Sequence, residues 1–242
     1  MDKNKGRGKR LTKHFITVLW LFSMGLAGFF APYFTDNIPF LKVKKLYLEG
    51  LETIPPQVVV EEVKRFRNNG LLISEGILLD ALNQRLGNAI ESVLIKKHFS
   101  RDGVELRVLI KEREPFITVV KEKEFVFLDS NGVPFKNPYL LPKEPFLYTY
   151  DFELVKRNFS RLKFLVESIG VAMEPREIYI TELNTLLYSH DGVRVILPSL
   201  FMLEKDTIES LAKVYHNISM TDIKEIEVYN DKTVIMRNGV ER

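Results

Sequence analysis

The chain has 242 residues, which is enough for one large domain or two smaller ones that each bury a hydrophobic core. A composition of 45% hydrophobic and 28% charged residues excludes extended disorder, and the absence of cysteine excludes disulfides, thiolate metal sites and a cysteine nucleophile. The basic character is concentrated in residues 1–14, which hold six lysines and arginines and one acidic residue. Because the rest of the chain is close to neutral, the charge pattern argues against nucleic acid as a partner of the folded part.

An uncharged apolar stretch, FITVLWLFSMGLAGFFAPYFT, occupies residues 15–35. It is about as long as the roughly 20 residues that a helix needs to cross some 30 Å of hydrocarbon, and the basic tail before it favours a cytoplasmic N-terminus. A cleaved signal peptide and a buried helix are the alternatives, but the apolar core of a signal peptide usually has only about 7 to 15 residues. The sequence therefore predicts a cytoplasmic tail at 1–14 and a single transmembrane helix at 15–35, with the remaining chain outside the cytoplasm.

The next segment has the pattern of one small α+β domain. VKKLYLEG at 43–50 is typical of a strand that ends at a glycine, and the two amphipathic stretches after it predict helices. Two further strands, ESVLIKKHF and VELRVLIK, are joined by a tight turn at Asp102-Gly103. The predicted order is therefore β-α-α-β-β over residues 40–112.

Residues 113–242 are richer in strands. FITVV and EFVFL flank a charged turn and predict a hairpin, and the apolar periodicity predicts helices at about 152–168 and 204–217. Several β-like runs follow these helices, and the last two are IKEIEVY and TVIMR. The expected fold class is α+β, with one transmembrane helix, the β-α-α-β-β domain, and a C-terminal mixed β-rich domain that contains two helices.

The block KEREPF at 111–116 stands between the two expected domains. Pro115 cannot donate a hydrogen bond to a sheet, so strand pairing is expected to change partners there. Glu112 and Glu114 could imitate a catalytic acid pair, but general acid catalysis needs a desolvated carboxyl group in a cleft, and the sequence does not indicate one. We therefore interpret Glu112, Arg113 and Pro115 as an interdomain seam, either a solvated or salt-bridged strand end or a specific contact between domains.

Sequence motifs for catalysis and for metal binding are absent. The four histidines have neither HxxxH nor HExxH spacing, and the chain contains neither a G-x-S-x-G elbow nor a GxxxxGK[ST] phosphate loop. The sequence therefore predicts a protein that is not an enzyme, with no cofactor, no metal and no small-molecule substrate.

Four segments together resemble one known family. They are the strand VKKLYLEG, the helix LLDALNQRL, the block KEREPF, where the family often has Glu-Arg-x-Pro, and FLDSNGVPF at 127–135, where it often has an Asp-x-x-Gly segment. In this order behind a single apolar span they are similar to the FtsQ/DivIB family of bitopic cell-division proteins, and the β-α-α-β-β domain resembles a POTRA domain. The resemblance covers nearly the whole chain.

The resemblance implies a non-enzymatic scaffold of the bacterial divisome, located in the inner (cytoplasmic) membrane at the division septum. It implies FtsB/DivIC-like and FtsL-like membrane proteins as partners and a link to septal peptidoglycan synthesis. In the family, partners dock on the late strands by adding a strand to a sheet edge. An exposed edge without a partner is the alternative. The docking surface is expected to include five residues: Ile226, Val228, Tyr229, Asn230 and Thr233.

Two other functions are alternatives to this scaffold. A POTRA-containing component of protein translocation or outer-membrane assembly would need a barrel of many alternating strands, which the residues after the first domain cannot supply. A membrane-anchored hydrolase would need a deep pocket with convergent carboxylates or a Ser-His pair. An open sheet edge near residues 223–237 would favour the scaffold instead.

Overall fold

The computed structural model describes residues 16–30, 41–67, 70–122, 124–217, 223–229 and 233–238. The chain forms two compact units. The first consists of Met1–Leu82 and Ser92–Lys111, and the second of Asn83–Glu91 and Glu112–Arg242. The later boundary lies beside the junction expected at 112/113, but the second unit also takes in the short segment around the end of the second predicted helix.

The prediction of a transmembrane helix at 15–35 is wrong, and so is the single-pass inner-membrane location derived from it. Within the described ranges, no helix is both long enough and apolar enough to cross a membrane. The helix at this position, α1, covers residues 16–30. Over these described residues it extends for about 22 Å at 1.5 Å per residue, which is less than the roughly 30 Å of a hydrocarbon core. The predicted tail at 1–14 and residues 31–35 of the predicted span lie outside the described residues.

After α1, the first unit is built around a three-stranded sheet with two helices. The strand β3 lies in the middle of the sheet, between β1 and β2, and β1 runs parallel to β3. The bounds of the five elements are β1 Val43–Glu49, α2 Pro56–Lys64, α3 Glu75–Leu86, β2 Ile90–Ser100 and β3 Gly103–Glu112.

Strand alternation in β3 determines which side chains enter the core of this unit. Val104, Leu106, Val108 and Ile110 are all at most 1% exposed, as expected for residues that share one face of a strand. The intervening side chains are at least partly accessible to solvent. Apolar periodicity alone therefore places the core face of this strand correctly.

The second unit contains a nine-stranded sheet and three helices. Its strands are β4 Ile117–Lys121, β5 Glu124–Leu128, β6 Pro134–Phe135, β7 Phe146–Thr149, β8 Pro175–Ile180, β9 Asn184–Ser189, β10 Arg194–Pro198, β11 Ile223–Val228 and β12 Val234–Asn238. Its helices are α4 Phe152–Arg157, α5 Phe159–Met173 and α6 Lys205–Asn217.

The strand order in this sheet is β12-β11-β10-β9-β8-β7-β4-β5-β6. The pairs β4–β7, β7–β8 and β10–β11 are parallel, whereas the other neighbouring pairs are antiparallel. Because the sheet is mixed and its helices are not confined to crossovers between parallel strands, the fold is α+β.

One face of the nine-stranded sheet packs against the helices. Leu162, Leu165 and Ile169 of α5 are fully buried, and they belong to the same hydrophobic cluster as the inward-facing residues of the strands. Ile208 and Leu211 of α6 enter the same cluster. The core of the second unit is therefore a single layer between the helices and one face of the sheet.

The helix expected at about 152–168 is interrupted, so this unit has three helices where the sequence predicted two. Asn158 has φ −110° and ψ 19°, which is outside the α-helical region. Its side-chain amide donates to the carbonyl oxygen of Leu154 at 2.9 Å. Asn158 thereby ends α4 and precedes α5, because its short polar side chain competes with the helical hydrogen bonds.

The opposite face of the sheet carries a row of tyrosines. The rings of Tyr148 and Tyr179 are stacked with their centroids 4.5 Å apart, and Tyr188 meets Tyr179 edge-on at 5.6 Å. The hydroxyl of Tyr179 donates to Oε2 of Glu177 at 2.9 Å. The pKa of Tyr179 is raised to about 12, mainly by burial and secondly by this bond to a carboxylate.

We expect Tyr179 to make stability depend on alkaline pH. Because its folded-state pKa lies above the value of about 10 for a free tyrosine, the unfolded chain deprotonates first. The contribution of Tyr179 is complete below pH 10 and is lost as the pH approaches 12. Tyr179→Phe should therefore reduce the fall in unfolding free energy between these values, as measured by urea unfolding. The control is Tyr150→Phe, which changes a fully exposed tyrosine. An equal fall in unfolding free energy in both variants would contradict the assignment.

Candidate functional site

The predicted interdomain seam lies where the chain passes from the first unit into the second. Glu112 is the last residue of β3 and is 9% exposed, whereas Glu114 is exposed. These two carboxylates therefore do not share a desolvated environment. Pro115 lies between β3 and β4, where strand pairing changes from the first sheet to the second.

Arg113 forms a buried ion pair with Asp129. Their side chains are 14% and 8% exposed, and Nη1 of the arginine lies 2.6 Å from Oδ2 of the aspartate. The Nε group of Arg113 donates to the carbonyl oxygen of Asn88 at 3.0 Å, and its backbone N–H donates to that of Ala89 at 2.8 Å. Hydrogen bonds of this kind, in which one partner is charged, are stronger than neutral ones. Through them, the side chain of Arg113 connects two segments of the second unit.

Asp129 also closes the turn between β5 and β6. Its Oδ1 atom accepts hydrogen bonds from the backbone N–H groups of Asn131 and Val133, each at 2.9 Å. Gly132 has φ +76°, and a Cβ atom there would lie 2.6 Å from the ring of Phe159. The Asp-x-x-Gly pattern therefore has a structural cause, since this turn needs both a buried acceptor and a residue without a side chain.

The segment that follows α3 is tied to the same turn region. Asn88, with φ +71°, donates from its side-chain amide to the carbonyl oxygen of Pro134 at 3.1 Å. The backbone N–H of Lys136 donates to the carbonyl oxygen of Gly87 at 2.7 Å. The seam residues thus belong to a hydrogen-bonded network within the second unit.

The five predicted docking residues do not share one environment in the structure. Ile226 and Val228 lie in β11 with 0% and 3% exposure, so their side chains belong to the hydrophobic core. Tyr229 is 42% exposed, and its N–H donates to the carbonyl oxygen of Thr233 at 2.9 Å. Thr233 is exposed, and Asn230 lies outside the described residues.

The sequence predicted a strand at TVIMR, which forms as β12, but none of the five predicted docking residues lies in β12. Within it, Ile235 and Met236 are 39% and 37% exposed, and β12 lies at the end of the nine-stranded sheet. The run TVIMR contained the available signal, because the second strand of a hairpin is a candidate for a sheet edge. Sequence reasoning instead selected two residues of β11, which has a neighbour on each side, and three residues that follow it.

A row of charged side chains attaches β12 to the sheet. Arg237 contacts Glu225 at 3.0 Å and Glu227 at 3.1 Å, and Arg194 of β10 contacts Glu225 at 3.4 Å. Cross-strand pairs of opposite charge stabilise neighbouring strands by roughly 0.2–1 kcal/mol each. The network therefore holds the edge strand in register without covering its outer side.

Strand geometry shows which backbone groups of β12 face outward. Tyr229 and Thr233 form a hydrogen-bonded pair, and the register continues unbroken to Glu227 opposite Ile235. Because bonded and non-bonded pairs alternate in an antiparallel ladder, the N–H and C=O groups of Val234 and Met236 point away from β11. Such outward groups can accept an additional strand.

Two other sheet edges, β6 and β2, are short or have polar side chains bonded to their backbone. The strand β6, at the far end of the nine-stranded sheet, has only two residues. In the first unit, the N–H of Ile95 in the edge strand β2 donates to Oε1 of Glu75 at 3.0 Å. The side chain of Asn83 occupies both the N–H and the C=O of Ile90, at 2.9 and 3.1 Å. These caps satisfy backbone groups that would otherwise attract another strand.

No catalytic arrangement emerges from the titratable groups in the described part of the chain. There, no three or more His, Cys, Asp or Glu side chains are placed to hold a metal ion. The carboxylate of Glu144 contacts His190 at 2.8 Å and Arg176 at 3.2 Å, and these two side chains are 52% and 56% exposed. This is a surface ion cluster, of a kind that contributes roughly 0–1 kcal/mol.

Replacement of Arg113 by alanine should strongly destabilise the second unit. The carboxylate of Asp129 would stay buried without a counter-charge, at a cost of about 3–5 kcal/mol in unfolding free energy. Adding Asp129→Asn to the Arg113→Ala variant should restore part of this loss, because it removes the uncompensated charge and keeps an acceptor for the turn. Chemical denaturation of the single and double variants measures the coupling.

The control is Arg176→Ala, which removes an exposed arginine from a surface ion pair and should cost less than about 1 kcal/mol. Purely additive effects of the Arg113 and Asp129 substitutions would contradict the assignment of this pair.

Comparison with protein families finds no family model that matches the chain. Comparison with known proteins finds similarity to a protein of Aquifex aeolicus (strain VF5) described as uncharacterized, which is 26% identical over 192 residues. The similarity covers 77% of this chain and 84% of that protein. Since neither compact unit alone is this long, the similarity includes parts of both.

Proposed function

We propose that this protein is a non-enzymatic scaffold that binds partner proteins through the outer edge of β12. The observation that carries the proposal is the pair of outward-facing peptide groups at Val234 and Met236, on a strand held in place by Arg237. A partner segment in extended conformation would extend the nine-stranded sheet by one strand.

The energetics favour reversible binding that depends on side chains as well as on the backbone. The two outward residues offer about four hydrogen bonds, each worth about 1 kcal/mol net. A total of about 4 kcal/mol corresponds to a dissociation constant of about 1 mM, which is too weak for a specific partner. The partner must therefore also bury apolar side chains, and Ile235 and Met236 provide exposed apolar surface for this on opposite faces of the strand.

The class of assembly is proposed from the motif order in the sequence. VKKLYLEG, LLDALNQRL, KEREPF and FLDSNGVPF follow one another as they do in the FtsQ/DivIB family. The partners proposed on this basis are FtsB/DivIC-like and FtsL-like division proteins, which would connect the scaffold to septal peptidoglycan synthesis. The buried ion pair of Arg113 with Asp129 supports a positioning role for two of these motifs, since it links KEREPF to FLDSNGVPF.

The variant Met236→Pro tests this docking mode directly. The N–H of Met236 faces away from β11, so proline removes an outward donor without removing a bond of the existing ladder. We expect recovery of the partners with the tagged full chain from cross-linked native cells to fall at least about 10-fold. Met236→Ala is the matched control, since it shortens the side chain and keeps the N–H. Quantitative mass spectrometry of the copurified proteins gives the readout.

Thermal unfolding of both variants separates loss of docking from loss of fold, and we expect both to unfold cooperatively like the parent chain. Equal partner recovery with Met236→Pro would exclude edge pairing at β12. Normal division after depletion, together with a tagged copy that never gathers at midcell, would exclude the role in division.

A further inference from the structure

Two turns at the carboxyl ends of the neighbouring strands β7 and β8 each present a large apolar side chain to solvent. Tyr150 follows β7 and is 101% exposed, and Leu183 follows β8 and is 86% exposed. The strands are paired in parallel, with Thr149 opposite Ile180, so both turns lie at the same end of the sheet.

The first turn is held by side chains on either side of Tyr150. The hydroxyl of Thr149 donates to the carbonyl oxygen of Asp151 at 3.1 Å and accepts from its N–H at 3.2 Å. Oδ1 of Asp151 accepts from the N–H of Leu154 at 2.9 Å, which begins α4. Tyr150 is therefore presented by a backbone that is fixed on both sides.

The second turn is built in the same way around Leu183. The hydroxyl of Thr181 lies 3.0 Å from the carbonyl oxygen and 2.8 Å from Oδ1 of Asn184. It accepts from the N–H groups of Leu183 and Asn184, at 3.3 and 3.1 Å. In both turns a threonine at the end of a strand fixes the loop, and the residue at the tip is apolar.

A groove of about 630 Å³ lies between the two turns. Leu154 and Ile180 supply apolar surface, and Asp151 and Glu182 supply two carboxylates. Among the described residues that line the groove, none is basic. The groove therefore combines an apolar interior and two exposed apolar rims with a negative charge that its own lining does not neutralise.

We propose that this groove, which we call the Tyr150–Leu183 groove, binds a short segment of a partner protein in which one apolar side chain stands between lysine or arginine residues. The apolar side chain enters between Tyr150 and Leu183, and the basic side chains meet Asp151 and Glu182. Because the backbone of both turns is already fixed, binding at them costs little backbone entropy. The strands that end at the groove, β8 and β7, lie four and five strands from β12, about 19 and 24 Å at a strand spacing of 4.8 Å, so the groove is a surface separate from the β12 edge.

The test uses fluorescein-labelled nine-residue peptides with a central Leu, Phe or Trp flanked by two lysines on each side. Matched peptides carry glutamate in place of lysine. Fluorescence anisotropy with the full chain should give binding of the basic peptides that is at least about 10-fold tighter than that of the acidic ones. Leu183→Asp and Tyr150→Ala should each weaken the basic peptides at least about 10-fold. Glu182→Lys should shift the preference toward the acidic set.

The matched control is Leu141→Asp, which changes a leucine of the same unit that is 78% exposed but does not line the groove. It should leave peptide binding unchanged. Equal binding of basic and acidic peptides, or equal affinity of the Leu183→Asp and Leu141→Asp variants, would overturn the proposal. Sedimentation that detects a dimer dissolved by Leu183→Asp would assign the groove to a second copy of this chain and would also overturn it. Partner recovery through β12 should be unaffected by Leu183→Asp.

Discussion

The buried ion pair between Arg113 and Asp129 holds together three segments of the second unit that are separated in the chain. Arg113 itself precedes β4, Asp129 begins the turn between β5 and β6, and Asn88 and Ala89 follow α3. A carboxylate this deeply buried is stable only because its oxygens receive one guanidinium and two backbone N–H groups. Arg113, one of the charges of KEREPF, therefore has a structural role, since it positions the backbone around it.

The strand β4, which follows Arg113, belongs to the mixed nine-stranded sheet, and the described helices of the second unit cover one face of this sheet. The two proposed partner surfaces lie at different places on this sheet. At the end of the strand order, no described strand pairs with the outer side of β12, whereas α3 places polar side chains on β2, an edge strand of the first sheet. At the carboxyl ends of β7 and β8, side chains rather than backbone groups are presented. The ligands proposed for the two surfaces differ accordingly: an extended strand at β12 and an apolar side chain between cations at the Tyr150–Leu183 groove.

Local patterns in the sequence were sufficient for most of the elements. Alternation in VELRVLIK identified the buried face of β3, and the FITVV and EFVFL hairpin forms as expected between β4 and β5. The same reasoning failed where a single residue overrides a periodic pattern, as Asn158 does between α4 and α5. It also failed for residues 15–35, because an apolar composition describes the side chains of a segment and does not fix the length of its helix. Two of the five predicted docking residues, Ile226 and Val228, are core residues, since a strand pattern does not reveal which side faces the core.

The sequence by itself determined most of the strands and helices, which faces of β3 and α5 are apolar, and that an Asp-x-x-Gly turn follows β5. These features depend on interactions between residues a few positions apart, which leave a periodic or local signature. The tertiary structure alone decided that Arg113 meets Asp129, that β12 lies at an edge of the nine-stranded sheet, and that Tyr150 and Leu183 flank one groove. Each of these depends on which strands become neighbours, and that order results from the packing of the whole sheet against its helices, which no short segment of the chain encodes.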